Sequence, residues 1–75
     1  MYTAYEKQLG KNIKKLRKEC GFSQAKLAQK LQLLGCDIAP YTVSRIELAQ
    51  KRVCAYELKC LKEVLGVSFD DILNV

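Results

Sequence analysis

The sequence predicts an all-α fold, a compact bundle of five helices. Apolar residues recur at steps of three and four, and glycines follow the ends of most predicted helices. No segment alternates between apolar and polar residues as a half-buried strand does. The chain has 75 residues, of which 49% are hydrophobic and 28% charged. We therefore expect residues 1–75 to form one small domain, too small to enclose a deep cleft.

The first two helices are predicted over about residues 4–20 and 24–34. The apolar stripe of the first consists of Leu9, Ile13, Leu16 and Cys20, and that of the second of Leu27, Ala28, Leu31 and Leu34. Gly21 and Gly35 stand where left-handed C-caps are favoured. Ser23 is the expected N-cap of the second helix.

A third helix is predicted over about residues 40–49, with Val43 and Ile46 facing inward. Residues 35–39 connect it to the second helix. Pro40 suits the first position of a helix, and it keeps Ala39 in the extended conformation of an N-cap.

The last two helices are predicted over about residues 55–65 and 69–73. Cys54 stands at a cap position, Gly66 ends the fourth helix, and Ser68 with Asp71 matches a capping box. The apolar residues expected to face the core are Leu58, Leu61, Leu65, Phe69, Ile72 and Leu73.

The net charge of +5 is unevenly distributed along the chain. It is +6 over residues 1–30, +1 over residues 31–53 and −2 over residues 54–75. A basic front and an acidic back would orient the domain on a polyanion, and at this level DNA, RNA and anionic lipid all remain open. Each lysine of the first helix, taken alone, is equally well explained as part of a solvated face.

Several classes of function are disfavoured by composition. The chain has no histidine, so the commonest general base and metal ligand is missing. It has no apolar run long enough to span a membrane and no secretory signal pattern. We expect a cytoplasmic protein that is not an enzyme and has no cofactor, no small-molecule substrate and no membrane partner.

The four cysteines do not have zinc-site spacing. Cys20, Cys36, Cys54 and Cys60 include no Cys-x-x-Cys pair. Cys20 and Cys60 are interpreted as small core residues, and disulfides are disfavoured in a reducing cytoplasm. A site formed by all four cysteines, or a redox-sensing role, stays as an alternative.

The order of these features resembles the Cro and lambda-repressor-like, or XRE-type, helix-turn-helix domains. The matching stretches are IKKLRKECGFSQAKLAQKL (13–31), TVSRIE (42–47), KR (51–52) and LKEVLGVSFDDIL (61–73). The resemblance implies a lambda-repressor-like bundle in which helices 2 and 3 form the helix-turn-helix. The sequence departs from the family in its extended turn, LQLLGCDIAP, and in Ala49, where glycine is frequent. We therefore expect the third helix to end differently, a residue later at Gln50.

The resemblance also implies roles for individual residues. Helix 40–48 would enter the major groove as the recognition helix, with base contacts from Tyr41, Thr42 and Arg45. Phosphate contacts are expected from Gln24, Lys26, Ser44, Lys51 and Arg52. Arg17 and Glu47 would form a structural ion pair. Two alternatives to base contact remain open: Arg45 could be an ordinary surface residue, and Tyr41 could pack over the long turn.

The function that the resemblance implies is a sequence-specific, phage-repressor-like transcriptional regulator from a bacterial or prophage setting. Its partner would be double-stranded DNA, a palindromic operator bound by a homodimer. The expected dimer surface is the acidic back, near Phe69, Ile72 and Val75. The alternative function is a protein-interaction module, antitoxin-like or polymerase-binding.

Overall fold

The computed structural model describes residues 4–73. Across them it has five helices and no strand: α1 (Ala4–Glu19), α2 (Gln24–Leu33), α3 (Pro40–Glu47), α4 (Ala55–Leu65) and α5 (Phe69–Leu73). The predicted all-α fold class is confirmed. Helix α3 packs against both α1 and α2, while α5 packs against α1 and α4. These contacts enclose a single core between the helices.

The apolar stripes predicted from helical periodicity form most of this core. Its buried members are Leu9, Ile13, Leu27, Ala28, Leu31, Cys36, Ile38, Val43, Ile46, Cys60, Leu61, Leu65 and Ile72. Every helix contributes at least one of these side chains, so each helix is held by burial of its apolar face more than by its own propensity.

The predicted N-caps are also present. The Ser23 hydroxyl accepts a hydrogen bond from the Lys26 backbone N–H at 3.0 Å. Pro40 occupies the first turn of α3, directly after Ala39 in the extended conformation. Ser68 and Asp71 form the reciprocal capping box, in which each backbone N–H donates to the other side chain at 3.1 Å. These contacts satisfy donors that a helix start leaves without intrahelical partners.

Three residues assigned to the core face lie outside it. Cys20 is exposed, and Leu34 and Phe69 are 42% and 41% exposed. Cys20 and Leu34 each follow the last residue of a helix, where the backbone leaves helical geometry, and Phe69 is the first residue of α5. The predicted stripes of the first two helices therefore continue one residue too far, since the 3.6-residue period holds only inside the helix.

The end of α3 also differs from its prediction. The helix ends at Glu47 and does not continue to Gln50. Ala49 has φ +58°, in the left-handed region that Gly21 occupies after α1 with φ +76°. The Ala49 and Gln50 N–H groups donate to the Ile46 and Arg45 carbonyls at 3.1 and 2.8 Å, respectively, which is the Schellman pattern. Alanine therefore fills a position that favours glycine.

We expect Ala49→Gly to raise the free energy of unfolding by about 0.5–1 kcal/mol. Glycine removes the left-handed penalty of alanine, and its greater freedom in the unfolded chain offsets part of the gain. Urea unfolding of both proteins measures the change. Ala25→Gly, at an exposed site in the first turn of α2, is the control, and it should lower the free energy of unfolding by up to about 1 kcal/mol. If Ala49→Gly were less stable than the unmodified protein, the inference that Ala49 is strained in its left-handed conformation would be contradicted.

The extended turn between α2 and α3 is anchored to the body of the domain. The side chains of Cys36 and Ile38 are buried in the core. The Gln32 carboxamide donates to the Ile38 carbonyl at 2.8 Å, and the Tyr56 hydroxyl on α4 donates to the Leu34 carbonyl at 3.2 Å. The additional residues of the turn are thus fixed by contacts on both sides.

Candidate nucleic-acid interface

One side of α3 carries the residues predicted to contact bases. Tyr41 is 66% exposed and Arg45 is exposed, while Thr42 is half-buried. Val43 and Ile46 point the other way and are buried in the core. The helix therefore presents three polar side chains outward and is fixed by its apolar face.

Among residues 4–73, Arg45 makes one side-chain hydrogen bond. Its Nη2 donates to the carbonyl oxygen of Gln50 at 3.2 Å, across the turn that ends α3. This single contact orients the side chain along the helix end and leaves it exposed. A guanidinium in this position can reach the paired acceptors of a base edge or of a phosphate.

Arg17 and Glu47 form the ion pair that the resemblance implies. Arg17 Nε lies 2.6 Å from Glu47 Oε2, and its Nη2 donates to Oε1 at 3.3 Å. Arg17 Nη1 also donates to the Phe22 carbonyl at 2.7 Å. Both residues are buried. The pair joins α1 to the end of α3 and to the turn before α2.

Gln24, predicted to bind phosphate, is part of the same network. Its Nε2 donates to Glu47 Oε1 at 3.0 Å. Gln24 is the first residue of α2, so the carboxamide lies at the positive end of the helix dipole. Lys26 is exposed in the same turn, and its Nζ lies 3.5 Å from Gln29 Oε1. The structure therefore brings both predicted phosphate ligands of α2 to one helix start.

Lys51 and Arg52 follow α3, but both already have acidic partners. Lys51 Nζ lies 2.7 and 2.9 Å from the two Glu57 carboxylate oxygens, and it also donates to the Arg52 carbonyl at 2.9 Å. Arg52 Nε lies 3.5 Å from Glu6 Oε2, with its side chain 70% exposed. Arg52 is thus the more accessible of the two cations. Ser44, the remaining predicted phosphate ligand, is half-buried on α3.

Glu57 both caps the start of α4 and pairs with Lys51. Its Oε1 accepts from the Cys54 backbone N–H at 2.9 Å, which caps the helix. Partial burial opposes ionisation, yet the hydrogen bonds from Lys51 and Cys54 hold the pKa of the Glu57 carboxyl below its usual value. Glu57 is therefore ionised at neutral pH and fixes the position of Lys51.

The close approach of α1 to α3 depends on Gly10, which was not among the residues singled out from the sequence. A Cβ on Gly10 would lie 2.6 Å from the Ile46 carbonyl oxygen and 2.7 Å from that of Glu47. A glycine inside a strongly periodic helix was the available signal, since glycine costs helix stability and usually has a packing reason. Gly10 sets the distance between α1 and the end of α3.

The cysteines fall into two groups. Cys36 and Cys60 are buried, while Cys20 and Cys54 are exposed. Burial raises the pKa of the Cys36 thiol to about 11, and the neighbouring Cys60 adds to the shift, so Cys36 is protonated at neutral pH. Within residues 4–73 no three histidine, cysteine or acidic side chains come together as a metal site.

The expected dimer surface is only partly apolar. Phe69 is 41% exposed, but Ile72 is fully buried in the core and cannot contribute apolar surface. Ile72 was misassigned because α5 turns that side chain onto α1, where the Asn12 carboxamide donates to the carbonyls of Asp71 and Ile72 at 2.7 and 2.6 Å. Val75 lies outside the described residues.

The fold and the site together define a helix-turn-helix domain with an outward-facing third helix. A helix-turn-helix family model matches residues 13–72, so this chain belongs to that family, and its resemblance to the Cro and lambda-repressor-like group is confirmed. The chain is similar to the solved structure titled "Crystal structure of the DNA-binding domain of BldD". The two share 26% identity over 97% of this chain and 99% of that chain, with a TM-score of 0.82.

No curated protein matches the sequence. In the described part of the chain, no helix is long and apolar enough to cross a lipid bilayer.

Proposed function

We propose that this protein is a sequence-specific DNA-binding regulator of the phage-repressor type, with α3 in the major groove. The observation that carries the proposal is the outward row of Tyr41, Thr42 and Arg45 on a helix whose other face is buried. Arg45 would pair with the O6 and N7 of guanine, and Thr42 and Tyr41 would contact neighbouring base edges. The similarity to the BldD DNA-binding domain supports DNA binding by this fold.

The phosphate contacts are proposed for the residues that flank α3. Gln24 and Lys26 lie at the start of α2, Ser44 lies on α3, and Arg52 follows it. Lys51 is proposed as a weaker contact than Arg52. All three of its N–H donors are directed at Glu57 and at the Arg52 carbonyl, so binding a phosphate requires it to exchange a partner.

Regulation would follow from occupancy of an operator, with no turnover of a substrate. We propose a homodimer on a palindromic site, with half-sites about one helical turn apart. Two copies related by a two-fold axis would then present their α3 helices to equivalent half-sites.

A second candidate function is a protein-interaction module. Leu33 is 81% exposed at the end of α2 and Leu34 is exposed beside it, with Lys30, Glu63 and Val64 lining the same shallow pocket. Apolar side chains at this exposure are typical of contact sites for other proteins. This function would use the helix-turn-helix fold as a scaffold and would not need the outward face of α3.

One experiment separates the two functions. Binding to random duplex DNA is measured against salt concentration, alongside selection of a preferred site from a randomised pool. Contact with ~4–6 phosphates per monomer predicts a slope of about −4 to −5 in log K against log salt. An enriched palindromic site with this slope supports the repressor-type regulator. A flat slope with no enriched site supports the protein-interaction module.

Arg45→Ala should relax the preference at one base pair of the selected site. A bidentate arginine–guanine contact contributes ~1–3 kcal/mol of discrimination, so selection with the variant should show one position approaching equal use of all four bases. Arg52→Ala is the matched control, because loss of a phosphate contact weakens all sequences alike and makes the salt slope shallower by about 0.9. If Arg45→Ala selects the same site as the unmodified protein, Arg45 does not contact a base.

A further inference from the structure

Four lysines form a continuous row on the outer face of α1. Lys7, Lys11, Lys14 and Lys18, here called the lysine stripe, are separated by four, three and four residues and are all exposed. At 3.6 residues per turn these positions share one side of the helix, and the row is about 16 Å long at 1.5 Å per residue. The apolar side of α1 faces the core opposite them.

The lysine stripe runs next to the end of α3. Lys7, Lys11 and Lys14 line a cleft of about 300 Å³ together with Glu47, Leu48 and Ala49. The close packing at Gly10 brings the two helices together here. The lysine stripe and the end of α3, the proposed recognition helix, therefore form one continuous surface.

The positive charge of the lysine stripe is largely uncompensated by neighbouring acidic groups. Within residues 4–73 none of its four lysines forms an ion pair with a carboxylate. The Glu47 carboxylate in the cleft is buried and already bound by Arg17. Glu19 lies beside Lys18 at the far end of the row, where Lys15 adds another positive charge.

We propose that the lysine stripe binds the phosphodiester backbone of duplex DNA beside the groove that α3 enters, an inference that rests on the proposed function. Helix α3 has eight residues, so it is about 12 Å long, close to the ~12 Å width of the major groove. With its N-terminal residues at the bases, its C-terminal end reaches the phosphates at the groove edge. The lysines that adjoin this end then follow the strand.

The dimensions of the stripe suit a DNA strand. A strand of B-DNA rises ~3.4 Å per phosphate and also turns about the axis, so its phosphates lie about 7 Å apart along the strand and a row about 16 Å long extends along about three of them. Each lysine would neutralise about one phosphate and release its counterion. These contacts carry no sequence information, so the stripe adds affinity to any duplex and steers the domain to the backbone.

An anionic lipid surface fits the same face less well. Helices that lie in a lipid interface insert an apolar face between the headgroups. The apolar residues of α1, including Leu9 and Ile13, are instead buried in the core. The lysine stripe itself includes no apolar side chain that could insert between headgroups, which favours a rigid polyanion with regularly spaced phosphates.

The test compares two charge-matched double variants of the full chain. Lys11→Gln/Lys14→Gln removes the middle of the lysine stripe, and Lys59→Gln/Lys62→Gln removes two lysines from α4. Binding to the selected site and to random duplex is measured against salt for both variants and for the unmodified protein. Circular dichroism checks that each variant is folded.

The stripe variant should have a salt slope shallower by about 1.8, since each phosphate contributes about 0.9. Its selected site should be unchanged, and the α4 variant should keep the original slope. Equal changes in both variants, or an unchanged slope in the stripe variant, would overturn the proposal. Loss of binding to phosphatidylglycerol vesicles by the stripe variant, with DNA binding unchanged, would overturn it in favour of lipid. A flat slope for the unmodified protein would instead contradict the proposed function itself.

Discussion

Glu47→Ala should lower the free energy of unfolding by about 3–5 kcal/mol, the usual loss when one member of a buried ion pair is removed. The carboxylate accepts from two nitrogens of Arg17 and from the Gln24 carboxamide. Its removal leaves the Arg17 charge buried, with only the Phe22 carbonyl left as a hydrogen-bond partner among residues 4–73. Urea unfolding followed by circular dichroism measures the loss, and site selection should show the same preferred sequence at temperatures where the variant is folded.

Two further variants separate charge from packing. Glu47→Gln keeps the shape and one acceptor oxygen, so it should fold even if Glu47→Ala does not, with a smaller loss. Arg17→Met/Glu47→Leu replaces the whole pair by apolar groups and should recover most of the stability, because no uncompensated charge stays buried. Equal unfolding midpoints for Glu47→Ala and the unmodified protein would contradict a structural role for the pair.

Gly10→Ala should destabilise the domain by about 1–3 kcal/mol, the range for overpacked interiors. In an ordinary helix the same change gains about 1 kcal/mol, so the sign of the effect is itself the test. The new methyl group would meet two backbone carbonyl oxygens, those of Ile46 and Glu47. Backbone atoms cannot rotate away as a flexible side chain does, so α1 and α3 must separate.

Gln8→Ala, at an exposed site in the same helix, is the control for Gly10→Ala. It changes helix propensity by only a few tenths of a kcal/mol and adds no contact. Thermal unfolding of both variants shows whether the packing at Gly10 decides the result. A Gly10→Ala protein as stable as the unmodified one would mean that α1 and α3 separate at negligible cost.

Most of the fold follows from local rules that act within a few residues. Helical periodicity identified the core faces, and Ser23, Pro40 and Ser68 identified the helix starts. A serine cap contacts a residue three positions along the chain, and proline has a backbone dihedral angle that suits the first turn. The same rules failed one residue beyond a helix, at Leu34, and at the end of α3. There Ala49 adopts the left-handed conformation, which local preference assigns to glycine.

The candidate site was less predictable because its contacts join distant parts of the chain. The family resemblance, and no local rule, supplied the Arg17–Glu47 pair. The hydrogen bond from Gln24 to Glu47 and the ion pair between Lys51 and Glu57 depend on how three helices and a loop pack together. The sequence shows that Lys51 is positively charged, but it does not show which carboxylate pairs with it.

The anchored turn between α2 and α3 has a consequence for how this domain can vary. Helix α3 is held at its end by the buried pair and by backbone contact at Gly10, while Cys36 and Ile38 hold the chain that enters it. The orientation of α3 in the domain is therefore set by these contacts as well as by the connection. Gly35 and Cys36 also donate to the Gln32 and Leu31 carbonyls at the end of α2, so a change of loop length here should disturb the end of α2 before it alters the orientation of α3.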